Sequence, residues 1–355
     1  MPDTAPISVA RPTILVGGTE DLSLREGLLG LVVAEDTQGL YRCEATFGNW
    51  GAQGSGVNYL YFDRRTLDFG KTLQIKLGTE TVFDGRITAI EGQFPDHEGP
   101  RVVVLAEDRF QDLRMTRRTR AFEDTTDADV FSRIANDHGL TPAVDVNGPR
   151  HRVLAQVNQS DLAFMRDRAR AVDAEVWMSG STLNVKSRTG RDAGTHALTY
   201  GGNLREFAVI ADLAHQRSSV AVSGWDVAGK SAVKFEADDS TVRGELGNDE
   251  SGASILQSAL GGARKEQVAH AVPFTSEEAQ GRAEAYYRAL ARRFVVGRGT
   301  AVADAKIRVG GHVEVENVGP LFGGKYYLCE VRHLFDGARG IRTFFTAERP
   351  GLGRP

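Results

Sequence analysis

Apolar and polar positions alternate in short runs over the first hundred or so residues. Residues 28–35 are mostly apolar, Tyr41, Cys43, Ala45 and Phe47 fall at every second position, Leu73, Ile75 and Leu77 repeat the spacing, and 102–106 is an apolar run. A period of two marks strands with one buried face, so residues 1–115 are expected to form a first β-barrel-like domain. Within it, residues 48–56 are rich in glycine and are expected to be a long mobile loop. The period then changes. Over 126–138 the spacing predicts a helix, with Thr126 and Asp129 in a capping arrangement, Val130 and Ile134 on one face and Gly139 at its end. A second helix is expected from Ser160, with Leu162, Met165, Ala169 and Val172 on its inner face, and residues 177–183 read as a strand, a tight turn and a return strand. Residues 120–198 are thus expected to be a small α/β domain.

Alternation resumes at Leu204 and continues through 220–225 and 232–236. Residues 237–252 carry Asp238, Asp239, Glu245, Asp249 and Glu250 among glycines and serines, and are expected to be a surface excursion or partly disordered. A long helix follows. Thr275 and Glu278 form a capping-box pattern, Ala279, Ala283, Tyr287, Leu290, Ala291 and Phe294 recur on one face, and Arg288, Arg292 and Arg293 sit at the end where positive charge suits the helix dipole. Strand patterns close the chain, at Phe294-Val295-Val296, Val309 to Val313, Phe322 to Tyr327, Val331 to His333 and Thr343 to Phe345. Residues 200–236 and 295–349 are therefore expected to form a second β-barrel-like domain, with 237–294 as a loop and helical insertion. The fold class is α+β, mostly β: two β-barrel-like domains, an intervening small α/β domain and a helix in the C-terminal half.

A chain of 355 residues exceeds what one core organises. Its formal charge of -4 argues against a nucleic-acid binder, which would show a basic surplus. The densest basic run, 114–120, is followed by Glu123, Asp124, Asp127 and Asp129, and is expected to be a solvated or interface face. Cys43 and Cys329 lie far apart in strand patterns without ligand motifs, and are expected to be two buried thiols rather than a disulfide. Residues 1–12 lack a basic n-region with an apolar core, and no run approaches the length of a membrane span. Folding in a cytoplasm is expected, with no membrane insertion.

One motif carries candidate chemistry. Gly224, Gly229, Lys230 and Ser231 satisfy G-x-x-x-x-G-K-[ST], the phosphate-cradling loop. That loop requires a helix starting at the lysine, so that its N-terminus faces the anion; here residues 232–236 alternate as a strand, and the motif is read as a strand turn with no cofactor bound. The histidines at 97, 138, 151, 196, 215, 270, 312 and 333 form no H-E-x-x-H and pair with no cysteine at ligand spacing, so no metal is expected. Gly54-Ser55-Gly56 lacks the outer spacing of a nucleophile elbow. No catalytic residue is selected, although a glycosidase carboxylate pair needs only spatial proximity.

The ordered set of phrases resembles the tail hub family, which includes phage late control protein D and the N-terminal region of VgrG proteins. The resemblance rests on Val82-Phe83-Asp84-Gly85-Arg86-Ile87-Thr88-Ala89-Ile90, Val104 to Asp108 with Arg117-Arg118-Thr119-Arg120, Gln159 to Arg166, Tyr200 to Phe207 and the strands after Arg293, and it spans roughly residues 75–349 in the family's order. It implies a homotrimeric ring whose two barrels alternate to give a nearly six-fold surface, so that a hexameric tail tube stacks on a trimer bearing a three-fold spike. Implied partners are a tail tube protein, other baseplate proteins and a spike, the spike expected to be a separate polypeptide because the chain stops soon after its last strand. The implied location is a bacterial cytoplasm during assembly, then a phage tail or injection particle. Two other classes stay open: an enzyme, either a nucleotide hydrolase at 224–231 or a cell-wall hydrolase, and a cell-surface-binding module.

Overall fold

The computed structural model describes residues 11–227, 229–269 and 272–354. Residues 1–10 and His270 lie outside them, and with them the expectations about the first residues and that histidine. The fold is mostly β. One sheet of 13 strands runs through most of the molecule, in the order Leu204–Ala211, Val295–Val302, Gly340–Arg349, Gly324–Asp336, Leu28–Asp36, Arg42–Gly48, Arg101–Glu107, Glu80–Gln93, Thr72–Leu77, Thr13–Val16 and Thr19–Glu20. His312–Glu316 pairs with Gly324–Asp336, and Thr195–Thr199 pairs parallel to it.

The strand Gly324–Asp336 is the seam. Its second half pairs antiparallel with Leu28–Asp36, from Glu330 opposite Asp36 to Asp336 opposite Gly30. Phe335 accordingly joins a first core with Leu31, Val33, Phe47, Ile75 and Val104, while Leu328 and Val331 join a second core with Leu204, Val295, Val313 and Phe345. At 13 residues this strand is long enough to serve both cores with one backbone.

A third core belongs to the segment between them. The helix Asp127–Asp137 starts in a full capping box: the Thr126 hydroxyl accepts from the Asp129 N–H at 3.2 Å, and an Asp129 carboxylate oxygen accepts from the Thr126 N–H at 3.0 Å. The helix Asp161–Ala171 is capped by Ser160, whose hydroxyl accepts from the Ala163 N–H. Both helices pack Phe131, Ile134, Met165 and Ala169 against Val176, Leu183 and Val185 of a small three-stranded sheet. Phe122 and Phe164 stack with centroids 5.8 Å apart.

The structure departs from the sequence pattern in several places. Alternation assigns 204–236 to one β-domain, but only Leu204–Ala211 joins the second core; Ser219–Asp226 pairs with Ser231–Asp238 and, in parallel, with Lys265–Val268 in a separate three-stranded sheet. The helix Ser276–Ala291 covers that sheet, placing Ala283, Tyr287 and Ala291 on Val220, Val222 and Ala237. A period of two reports which face is buried and not which strand is the neighbour. Thr195–Thr199, read as part of the α/β domain, pairs instead in the large sheet.

Residues 237–252 are ordered. A short 3-10 turn, a one-turn helix and a short strand fill them, and Val242 is wholly buried. Two of their five acidic residues are partners of buried arginines: Glu245 binds Arg292, and Asp249 lies 3.3 Å from Arg349. The basic run at 114–120 is likewise not simply a solvated face. Arg118 and Arg120 converge on the buried Asp161 carboxylate, at 3.1 and 2.8 Å, and Arg114 pairs with Glu107. Cys43 and Cys329 are free, Cys43 buried and Cys329 half-buried, with its Sγ 3.2 Å from the Thr346 carbonyl; burial pushes the Cys329 thiol up to about 12. No helix among the described residues is long and apolar enough to cross a membrane.

Candidate interaction surface

The stretch 48–56, expected to be a mobile loop, forms a hairpin of Gly51–Gln53 and Gly56–Asn58. Its base is fixed by Asn49, which is fully buried: its backbone N–H donates to the Pro100 carbonyl at 2.8 Å and its side-chain oxygen accepts from the Tyr61 N–H at 2.8 Å. Tyr61 turns inward onto Phe47, with ring centroids 6.3 Å apart, and anchors the following segment in the first core. The flanking rings are thereby left outside.

Trp50, Tyr59, Phe62 and Phe94 form a continuous aromatic cluster on the surface. Tyr59 is its centre, 5.1 Å from Trp50, 5.2 Å from Phe62 and 6.2 Å from Phe94, and Phe62 and Phe94 are 5.9 Å apart. The edge-on and tilted arrangements are those aromatic quadrupoles favour. Trp50 is 51% exposed and Phe94 64%, and Val57 on the hairpin is exposed beside them. Gly92, near the end of the long strand Glu80–Gln93, makes room for the cluster: a Cβ there would lie 3.1 Å from the Phe62 ring and 3.2 Å from the Phe94 ring. Scattered exposed apolar residues are ordinary, but four rings packed around Tyr59 and facing solvent form a candidate contact surface.

A second apolar exposure lies around the phosphate-loop motif. Trp225 and Val227 at the tip of one hairpin and Val272 and Phe274 before the long helix are all exposed. Gly224 is closed to any side chain, because a Cβ there would overlap the Pro273 carbonyl. The motif itself spans a hairpin turn: Asp226 pairs with Ser231, the Gly229 N–H donates to the Asp226 carboxylate at 3.0 Å, and Lys230 is exposed with φ +51°. The strand Ser231–Asp238 follows Lys230, so no helix starts at this lysine.

The histidines separate into unrelated environments. His138 lies 2.8 Å from Asp161, and His333 is buried 3.1 Å from the Thr343 hydroxyl, where burial lowers it to about 4. His312 is also lowered to about 4, by burial and then by Lys325. His151 sits between Glu278 and Asp127. Among the described residues no group of three or more His, Cys, Asp or Glu side chains could hold a metal ion.

Sequence patterning missed the aromatic cluster. Its rings fall in irregular segments, outside any period, and the available signal was the density of Trp50, Tyr59, Tyr61, Phe62 and Phe69 within twenty residues that read as loop.

A large, mainly antiparallel sheet shared by two cores, with an α/β segment between them, is a fold that this chain shares with phage tail proteins. The chain belongs to the Alg8 N-terminal domain family, whose model matches residues 57–336. Similar solved structures include the 43 kDa tail protein of prophage MuSo2 from Shewanella oneidensis, with TM-score 0.73 and 13% identity over 96% of this chain and 98% of that one. A tail protein from Neisseria meningitidis MC58 gives TM-score 0.69 and 13% identity, with 97% of each chain covered. An Escherichia coli protein described as a component of the type VI secretion system, similar to the T4 bacteriophage tail proteins gp27 and gp5, gives TM-score 0.58 and 13% identity over 96% of this chain and 79% of that one. No curated protein matches the sequence.

Proposed function

We propose that this chain is a structural hub protein of a phage-like tail or contractile injection system. Three copies form a ring, which adapts a six-fold tail tube on one side to a three-fold spike on the other. The observation that carries this reading is the correspondence of fold over nearly the whole length of two tail proteins, 96% and 97% of this chain. The first and second barrel-like domains supply the alternating positions of the ring, and the α/β domain fills the space between them. A symmetry mismatch of this kind is resolved by geometry alone, because two similar units per copy present six similar surfaces from three chains. The aromatic cluster supports the reading, since rings of this type are enriched at the centres of protein interfaces.

The protein acts without catalysis in this reading. The phosphate-loop motif is a hairpin turn; of the buried acids, Glu35, Asp127, Asp161, Glu175 and Glu278 are each paired with arginine or histidine, and Asp108, which burial pushes up to about 7, accepts from the Tyr41 and Phe110 N–H groups at 3.0 Å. Its partners are further copies of itself, a tail tube protein, a separate spike and other baseplate proteins. It assembles in a bacterial cytoplasm and ends in the particle.

The test is the mass of the purified chain in solution, by light scattering coupled to size exclusion, alone and mixed with the spike protein encoded beside it. A mass of three copies in either sample is expected. A monomer in both overturns the proposal.

A further inference from the structure

The molecule holds a second feature, unrelated to the aromatic surface. Between the irregular segment 146–150 and the helices Asp161–Ala171 and Ser276–Ala291 lies a cavity of about 140 Å³. Its charged lining comprises three arginines, Arg168, Arg282 and Arg288, with His151 and two glutamates, Glu278 and Glu284. The carboxylates are already engaged. Glu278 accepts from the Phe274 N–H at 2.8 Å with one oxygen and bonds His151 with the other. Glu284 accepts from the Gln280 amide at 2.8 Å and from Arg288 at 3.2 Å. Arg168 is held to Asp127 by Nε at 2.6 Å and Nη2 at 2.9 Å, which leaves its Nη1 unused.

Arg282 differs from the other two. It is half-buried, yet among the described residues it makes no hydrogen bond and no ion pair. Burial, and then the neighbouring Arg168, hold its pKa below the usual arginine value; Glu278 and Asp127 pull the other way without fully offsetting them. A guanidinium is a planar fork whose N–H groups match two oxygens of an oxyanion. Leaving that fork empty in a partly dehydrated cleft beside a second guanidinium is unfavourable, and an anion between the two would relieve it. The size of the cavity selects the ligand, because nucleotides and other drug-sized molecules occupy roughly 300 Å³ or more.

We propose that this cleft binds one small tetrahedral oxyanion, phosphate or sulfate, between Arg282 and Arg168. The anion would add a bridge between the helix Asp161–Ala171 and the long helix, beside the links made by His151 with Glu278 and by Arg288 and Arg292 with Asp173.

Inorganic phosphate is the probe. The thermal midpoint of the full chain is compared in sodium phosphate and in sodium chloride of equal ionic strength, and the ³¹P linewidth of phosphate is measured with and without protein. Phosphate should raise the midpoint by about 2 °C or more at saturating concentration and broaden the phosphate signal. Both effects should be lost in Arg282→Gln and reduced in Arg282→Lys, which keeps the charge without the fork. Phosphate stabilises many proteins by exclusion from their surface, so the difference between the wild type and Arg282→Gln decides. Equal midpoint shifts and linewidths in the two proteins would overturn the site.

Discussion

His151 Nδ1 and Glu278 Oε1 lie 2.5 Å apart, joining the start of the strand His151–Ser160 to the long helix 127 residues further along the chain. The same imidazole is 3.2 Å from Asp127 through Nε2, and Arg168 approaches that nitrogen at 3.1 Å. Burial alone would favour the neutral ring, but the hydrogen bonds to Asp127 and Glu278 outweigh it and raise the His151 pKa. Arg168 is the positive group that opposes this. Asp127 and Glu278 are lowered despite their burial, by His151 and Arg168 for Asp127 and by His151 and the Phe274 N–H for Glu278.

The pH dependence follows from these directions. A raised histidine contributes stability that is complete below its ordinary value of about 6.5 and is lost as pH rises through the folded value; lowered carboxylates contribute above their ordinary range of about 4 and lose it as pH falls. The clamp is therefore strongest between roughly pH 5 and 6.5. The thermal midpoint should fall from pH 6 to pH 8.5, and His151→Gln should flatten that slope while lowering stability at pH 6 by about 3 kcal/mol. A calorimetric pH series on both proteins checks this, and identical slopes would remove His151 from the explanation.

Arg191 ties three parts of the molecule at one buried point. It donates to Glu175 at 2.8 Å, to the Tyr41 hydroxyl at 2.7 Å and to the Val309 carbonyl at 2.9 Å, and lies 4.3 Å from the centroid of the Trp177 ring. Tyr327 also donates to Glu175, at 2.7 Å. Arg191→Met leaves a buried carboxylate without its cation and should cost about 3–5 kcal/mol in urea unfolding. Arg191→Lys should recover little, since one ammonium cannot reach three acceptors in a plane. Combining Arg191→Met with Glu175→Gln should restore part of the loss.

The hairpin at 224–231 gives opposite signs for two residues of one motif. Gly224→Ala drives a Cβ into the Pro273 carbonyl and should cost about 1–3 kcal/mol. Lys230 occupies a left-handed conformation that glycine tolerates better, so Lys230→Gly should leave stability unchanged or raise it by up to ~1 kcal/mol. Urea titration of the two variants checks both signs. Calorimetric titration of the wild type with ATP and magnesium should give no heat, and specific ATP binding that is lost in the Lys230 variant would return the motif to its phosphate role.

Local patterns in the sequence carried the local structure. Tyr41, Cys43, Ala45 and Phe47 alternate because one face of Arg42–Gly48 is buried, and Thr126 with Asp129 caps the helix expected there. Glu278 was legible only in part. Thr275 accepts from its N–H as the capping pattern requires, but the Glu278 carboxylate reaches back to the Phe274 N–H and across to His151. The second bond joins residues distant in sequence, and no spacing encodes it. The same holds for Arg118 and Arg120 around Asp161, and for Glu245 with Arg292, where a charge run or an acidic loop looked solvated because its partner lay elsewhere in the chain. The aromatic cluster was hidden for the opposite reason. Each ring is held by irregular backbone around Asn49 and Tyr61, which has no period to read.

That cluster separates assembly from folding. Trp50 and Phe94 expose half or more of their surface, so Trp50→Ala with Phe94→Ala should change the stability of the isolated chain by no more than ~1 kcal/mol. If the cluster lies at the centre of an interface, each truncation should weaken association by about 2 kcal/mol, roughly 30-fold. Gly92→Ala tests the arrangement without removing a ring. Its Cβ presses on Phe62 and Phe94 and spreads the cluster, so association should weaken while both side chains remain. Sedimentation equilibrium on the three proteins measures association directly. Unchanged mass distributions with intact folding would place the interface elsewhere on the molecule.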